Sequence, residues 1–514
     1  MKKAVLVVVT AAAVIGAALI PSSGRPVVAA TSGTTVASPP GFGSALSSVK
    51  QLSWQTNAAV NALAVAGNTV YAGGLFTRIR QPGKPAGQGD AARTYVAAFN
   101  RSTGAPTRFA PKLNGAVWAI ASSPDGKRVV IGGDFTTVNG VKRNHVAMFD
   151  VATGQLTAGW DPSVATRVKA IAISGNSVYL GGSFGRVDNK ERNRLAAVTL
   201  DKGILLPWDP DADDEVYAID LNDNGTRVFV GGAFSELKNV DHWALAMVNT
   251  TDGAAFAMPA AAAIPEPSFD CTSTVRDIDT LGGKVFVANA GSGLGCYDGV
   301  LAADSTTGKL LWQNNCLGAT EAIQAIGNWL YKGSHAHDCS RDGGFKDGTG
   351  THHLLVESTI NGKLGPWHPT TDAGGTTLVG PLAFASGGND LWVGGEFVKV
   401  NGTIQEGLAR FTNTPGGATP AVPAAPKGSS TRAGKAAISF PTVVDADNIA
   451  LTYTLFRGTT KLASWKLSSY PWSKPTVTSF TDVRLPSGQT LSYRVQVSDG
   501  RNVRNGAVTP VKIR

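Results

Sequence analysis

Short apolar runs rich in Val, Ile, Ala, Phe and Tyr recur from Gln51 to Thr414, separated by turns of Gly, Asn, Asp and Thr. Val168-Lys-Ala-Ile-Ala-Ile173, His145-Val-Ala-Met-Phe149 and Leu195-Ala-Ala-Val198 are typical. Runs of this length and composition, bounded by turn residues, predict short antiparallel strands. Asn139-Gly140, Asp188-Asn189 and Asn401-Gly402 supply the positive φ that a tight hairpin needs.

The runs repeat as a unit. Val70-Tyr-Ala-Gly-Gly-Leu-Phe76, Val129-Val-Ile-Gly-Gly-Asp-Phe135, Val178-Tyr-Leu-Gly-Gly-Ser-Phe184, Val228-Phe-Val-Gly-Gly-Ala-Phe234 and Leu391-Trp-Val-Gly-Gly-Glu-Phe397 are one motif. Val285-Phe-Val-Ala-Asn289 and Leu330-Tyr-Lys-Gly-Ser334 are degenerate copies, and the seven are spaced by 59, 49, 50, 57, 45 and 61 residues. Each unit reads as four strands: a first run, the Gly-Gly run, a third run, then a Thr-Gly turn and a fourth run ending in an aromatic residue such as Trp160, Trp208 or Trp367. A period near 50 residues built from several strands predicts an all-β, seven-bladed β-propeller. The paired glycines mark a bulge or a close backbone approach, and the recurring Phe and Trp are expected to pack between blades. Gln51-Leu-Ser-Trp54 matches the fourth-run ends but precedes the first unit, while the last unit stops at its third run, Leu408-Ala-Arg-Phe411. The two termini are therefore expected to share the last blade.

The Gly-Gly-x-Phe, Asn-Gly, Leu-Ala, Thr-Gly and Trp-x-Pro pattern resembles the exported propeller repeats, related to the Delta-60 type, of actinobacterial secreted proteins of unknown function. The resemblance spans roughly residues 51–414 and implies a fold but no catalytic residues. Units five and six depart from it and carry all four cysteines.

Outside the repeats the pattern changes. Lys2 and Lys3 precede an apolar run from Ala4 to Ile20 and small residues at Val28-Ala29-Ala30, the order of a secretory signal. Thr419 to Ser430 is rich in Pro, Ala, Ser and Gly, and alternating runs follow it: Ala436 to Phe440, Leu451 to Phe456, Leu462 to Leu467 and Leu491 to Val497. These predict an immunoglobulin-like sandwich of the fibronectin type III kind, with Tyr493 as a tyrosine corner bonding back to nearby backbone. The expected organisation is a signal at 1–30, a flexible segment at 31–50, the propeller at 51–414, a linker at 415–430 and the sandwich at 431–514. Cys271, Cys296, Cys316 and Cys339 fit disulfides in an oxidising compartment, and of three possible pairings Cys271–Cys296 and Cys316–Cys339 would each staple one unit. No CxxC spacing points to zinc.

The net charge of +9 is unevenly placed. The segment from Lys427 carries 13 Lys and Arg against four Asp, whereas residues 31–426 are slightly acidic. A basic tail of this kind would meet an anionic cell-wall polymer first, with Trp465 and Trp472 offering rings for stacking.

Chemical motifs are sparse. No nucleophile elbow, zinc-protease helix, phosphate loop or dinucleotide fingerprint is present. His335, His337, His352, His353 and His368 cluster without regular ligand spacing, and Asp209, Asp211, Asp213, Asp214 and Glu215 could seat Ca²⁺ but lack the Gly and Glu of an EF-hand loop. Repeat symmetry adds a third group. The residue between Gly-Gly and Phe is Leu75, Asp134, Ser183, Ala233, Ala290, His335 and Glu396 in turn. Asp134, His335 and Glu396 are thus the candidate binding residues on one end of the ring. The resulting expectation is a secreted, monomeric, non-catalytic protein that needs no cofactor and recognises a glycan, a wall polymer or a protein, not nucleic acid. The alternative is a glycoside hydrolase or lyase with its site in the funnel.

Overall fold

The computed structural model describes residues 45–293, 296–348, 350–374, 380–413, 419–445 and 448–514. The export segment lies outside them. Among the described residues no helix is long and apolar enough to cross a membrane.

Among the described residues seven antiparallel sheets of three or four strands follow one another along the chain, with small separate hairpins between the second and third strands of some of them, and in each of the seven the first strand pairs with the second and the second with the third. The first strands are Val60–Ala66, Val117–Ser122, Val168–Ser174, Val216–Leu221, Cys271–Leu281, Thr320–Ile326 and Pro381–Ser386. Each packs against the first strand of the sheet before and after it, and the seventh packs against the first. The sheets, numbered 1 to 7 in chain order, therefore surround an axis lined by their first strands.

The expected fourth strand is shorter than its sequence suggests. It is a ladder in sheets 4 and 5 and a single bridge in sheets 1, 2, 3 and 6, such as Phe99 with Pro106 and Phe149 with Leu156. The bridged runs are interrupted by Pro106, Gly159, Pro207 and Gly365, and proline donates no ladder hydrogen bond while glycine weakens a strand.

Packing between sheets explains the Gly-Gly motif. A Cβ on Gly73 would lie 2.3 Å from Val117 of the next sheet, and one on Gly74 would lie 2.0 Å from the Ala59 carbonyl of its own. The recurring tryptophans are buried between sheets, where each also donates its indole N–H to the following sheet: Trp160 to the Thr199 carbonyl, Trp208 to Asn249 and Trp312 to Thr359. The ring closes as the termini suggested. Gln51 bridges Arg410, Ser47 donates to the Thr412 carbonyl, and Trp367 of sheet 6 donates to the Ser47 carbonyl.

Disulfides join Cys271 to Cys296 and Cys316 to Cys339. Beyond the ring, Lys427–Ser429, Lys435–Pro441 and Val477–Val483 form one sheet, and Ala450–Arg457, Thr460–Ser468, Thr490–Ser498, Val503–Asn505 and Thr509–Lys512 form another. Ile438 and Phe440 of the first share a core with Tyr453, Leu455 and Val495 of the second. The tyrosine-corner expectation needs correction. The Tyr493 hydroxyl donates to the Asp482 carboxylate at 2.9 Å, not to backbone. Arg457 holds that buried carboxylate from the other side, and an ionised acceptor outcompetes a carbonyl.

Candidate binding site at the channel mouth

Every first strand carries a β-bulge, after its first residue in six sheets and after its fifth in sheet 5, between Val60 and Ala62, Val117 and Ala119, Val168 and Ala170, Val216 and Ala218, Val275 and Asp277, Thr320 and Ala322, and Pro381 and Ala383. A bulge re-aims the extra side chain out of the pleat. The seven extra residues are Asn61, Trp118, Lys169, Tyr217, Arg276, Glu321 and Leu382, all half-buried where their strand neighbours are mostly buried. They ring one end of the channel.

The residues after Gly-Gly reach the same end. The backbone N–H groups of Leu75, Asp134, Ser183, Ala233, His335 and Glu396 donate to the carbonyls of Ala59, Ala116, Arg167, Glu215, Ala319 and Gly380, each just before its first strand. Ala290 faces Thr274 at the matching place in sheet 5.

Side chains from the two rings link sheet to sheet. Arg167 of sheet 3 grips Asp134 of sheet 2 through Nε at 2.5 Å and Nη2 at 3.0 Å, lies 4.9 Å over the Trp118 ring, and Trp118 donates its indole N–H to the same carboxylate at 2.8 Å. Lys169 pairs with Glu215 of sheet 4 at 2.7 Å, and Ser183 donates to that carboxylate too. Burial alone would raise the Glu215 pKa, but these bonds hold it down at about 2. Lys169 and Arg276 both lie over the Tyr217 ring, at 4.7 and 4.8 Å, and Arg276 pairs with Glu321 of sheet 6 at 2.7 Å.

The three candidate residues take places on this end but enter different partnerships. Asp134 turns to Arg167, one sheet away, because the nearest cation satisfies a carboxylate better than a group across the ring. The carboxylates that act on His335 are Asp298 and Glu321, which partly offset the lowering of its pKa by burial; its Nδ1 has no partner among the described residues. Glu396 occupies the mouth edge of sheet 7. The bulge residues were not singled out from the sequence, although a polar or aromatic residue second in an otherwise Val-x-Ala run was their visible signal.

Other candidates are engaged singly. Asp209 lies 3.5 Å from Arg192, Asp211 accepts from Asn193, and Asp213 accepts the backbone N–H groups of Ser235 and Glu236. His337 lies 3.3 Å from Asp347, His353 contacts the Thr371 carbonyl, and His352 packs on the Phe345 ring. Among the described residues no three His, Cys, Asp or Glu are placed to hold a metal ion. Trp465 packs against Phe440 and Phe480, and Trp472 against Phe345 and His368, so neither ring stands free as the sequence suggested. At the other end of the channel the first strands of sheets 2 to 4 border a cavity of about 360 Å³ that includes Asp220.

A family model described as a β-propeller domain of unknown function, DUF5122, matches residues 123–149, the Gly-Gly strand and third strand of sheet 2. The chain is a β-propeller. No curated protein matches it. Among solved structures, a chain from the complex of KlAtg21 with the coiled coil of AgAtg16 aligns over 68% of this chain and 98% of its own, at 10% identity and a TM-score of 0.35; that likeness is too distant to carry an argument.

Proposed function

We propose that the protein is an exported seven-bladed propeller with a fibronectin type III-like tail, acting as a non-catalytic scaffold that binds an extracellular glycan, wall polymer or protein at the channel mouth. One observation carries this reading. The repeats are an internal comparison, and positions needed for architecture recur in most of them: the first-strand alanine is Ala62, Ala119, Ala170, Ala218, Ala322 and Ala383 in six sheets. The bulged position beside it is different in all seven. Architecture does not require its identity, so its chemistry is free to serve a ligand. Binding fits better than catalysis because glycoside cleavage needs a carboxyl kept protonated, whereas Asp134, Glu215 and Glu321 are each ion-paired. The apolar leader and the two disulfides support export.

The test is a binding screen of the full chain against glycans and wall polymers, with reducing-sugar release measured in parallel. Trp118→Ala or Arg276→Gln is expected to weaken retention at least about tenfold while the chain still melts cooperatively. Sugar release that disappears in Asp134→Asn or Glu396→Gln would establish an enzyme instead.

A further inference from the structure

We infer that the mouth binds an uncharged, hydroxyl-rich oligosaccharide across sheets 2 to 5, which rests on reading the mouth as the ligand site. Charge balance is the first reason. Arg167, Lys169 and Arg276 are matched one for one by Asp134, Glu215 and Glu321 at 2.5 to 2.7 Å. Opposed charges this close leave little net field to attract a polyanion or a cation.

Hydrogen-bonding capacity is the second. The side chains of Arg167 and Arg276 are 38% and 34% exposed, and Arg276 gives only Nε to its carboxylate, leaving the rest of its guanidinium free among the described residues. Each carboxylate likewise keeps lone pairs beyond its ion pair. Donor and acceptor therefore stand side by side on a partly exposed surface, and a sugar hydroxyl both donates and accepts. Adjacent hydroxyls of one ring can use a cation and its carboxylate together.

The placing of the aromatic residues, not their type, bears on the choice between a sugar and a protein. Protein hot spots fill well-packed pockets, but the faces of Trp118 and Tyr217 are covered by cations at 4.7 to 4.9 Å. The rings fix the cations in place, so what they offer a ligand is hydrogen-bonding groups rather than bare apolar faces.

The test uses the full chain on immobilised neutral glucan, mannan, galactan and arabinan oligosaccharides, beside uronate-containing and sulfated oligosaccharides and a peptide library. Retention of one or more neutral sugars is expected, unchanged between about 0.05 and about 0.5 M NaCl, where screening removes long-range attraction. Arg276→Gln should weaken it about tenfold to a hundredfold, as loss of charge-assisted hydrogen bonds requires, and Trp118→Ala should do the same by freeing Arg167. Lys127→Ala, on the exposed turn between the first and second strands of sheet 2 at the other end of the channel, should leave it unchanged. Tyr217→Phe, which removes one hydroxyl, replaces any variant whose melting temperature collapses. Retention of acidic sugars alone, falling with salt and lost in Arg276→Gln, overturns the ligand class while leaving the mouth as the site; retention of peptides alone does the same. Neutral-sugar retention indifferent to all mouth variants overturns the mouth itself. No retention of any carbohydrate overturns the inference.

Discussion

Asp277 stands where six other sheets have alanine. Its carboxylate accepts the backbone N–H groups of Ile278 and of Ile323 in the next sheet, and two residues on, Asp279 accepts that of Ala325. Desolvation pushes the half-buried Asp277 up to about 7 and Asp279 well above its usual range, and the neighbouring, likewise half-buried Asp220 up to about 6. A carboxyl whose folded pKa is raised stabilises most below its unfolded pKa and loses that contribution as pH rises through the folded value. The melting temperature is therefore expected to fall between about pH 5 and about pH 8, and Asp277→Asn with Asp279→Asn should flatten that slope; an unchanged slope would show that these carboxyls do not titrate in the folded range. Lys332 and Glu357 make a second residue-scale departure, a fully buried ion pair at 2.8 Å. The equivalent residues elsewhere are apolar, Val230 and Val248 in sheet 4 for example. Lys332→Met alone should cost about 3–5 kcal/mol by stranding a charge, whereas Lys332→Val with Glu357→Val should cost far less. Denaturant titration of the single and double variants measures the difference.

Three short devices hold the elements in register. Asn100, Asp150 and Asp304 end their third strands and accept the backbone N–H of the threonine three residues on, which is why the turn reads Thr-Gly. The positive φ at Asn139, Asn401 and their following glycines builds the small hairpins foreseen from Asn-Gly. The indole bonds tie each sheet to the next. Trp208→Phe removes the donor to the Asn249 carbonyl and the volume of one fused ring from a buried site, so a loss of about 2–4 kcal/mol is expected by denaturant titration. In sheet 6 the Gly-Gly-x-Phe motif is lost and the Cys316–Cys339 bond packs with Phe345 and Leu355. Replacing Cys316 and Cys339 by serine should cost about 2–4 kcal/mol, and reducing agent should destabilise the parent by more than that variant, which has only the Cys271–Cys296 bond left to lose.

At the scale of the molecule, stability depends on closing the ring. Deleting residues through Trp54 removes the bridge to Arg410 and the acceptor for Trp367 and exposes a strand edge, so the whole propeller should melt earlier in one cooperative step. The basic tail is the other whole-molecule feature. If it tethers the protein, deleting residues from Lys427 should abolish sedimentation with anionic wall polymer, and retention of the full chain should fall steeply above about 0.15 M salt. Retention indifferent to salt would leave the tail a spacer. The sequence by itself determined the first three strands of each unit and the repeat, because alternation, turn residues and a fixed period are local properties, and the repeat pointed to the closing role of the N-terminal segment and to one cysteine pairing of three. It also placed Asp134, His335 and Glu396 at equivalent points on one end, since symmetry follows from repetition. Only the tertiary structure decided which side chains meet there. The bulge turns one residue of each first strand toward the axis, and Arg167, Lys169 and Arg276 find their carboxylates on neighbouring sheets. Those partners lie 33, 46 and 45 residues apart in the chain, and proximity across a ring is set by how sheets pack.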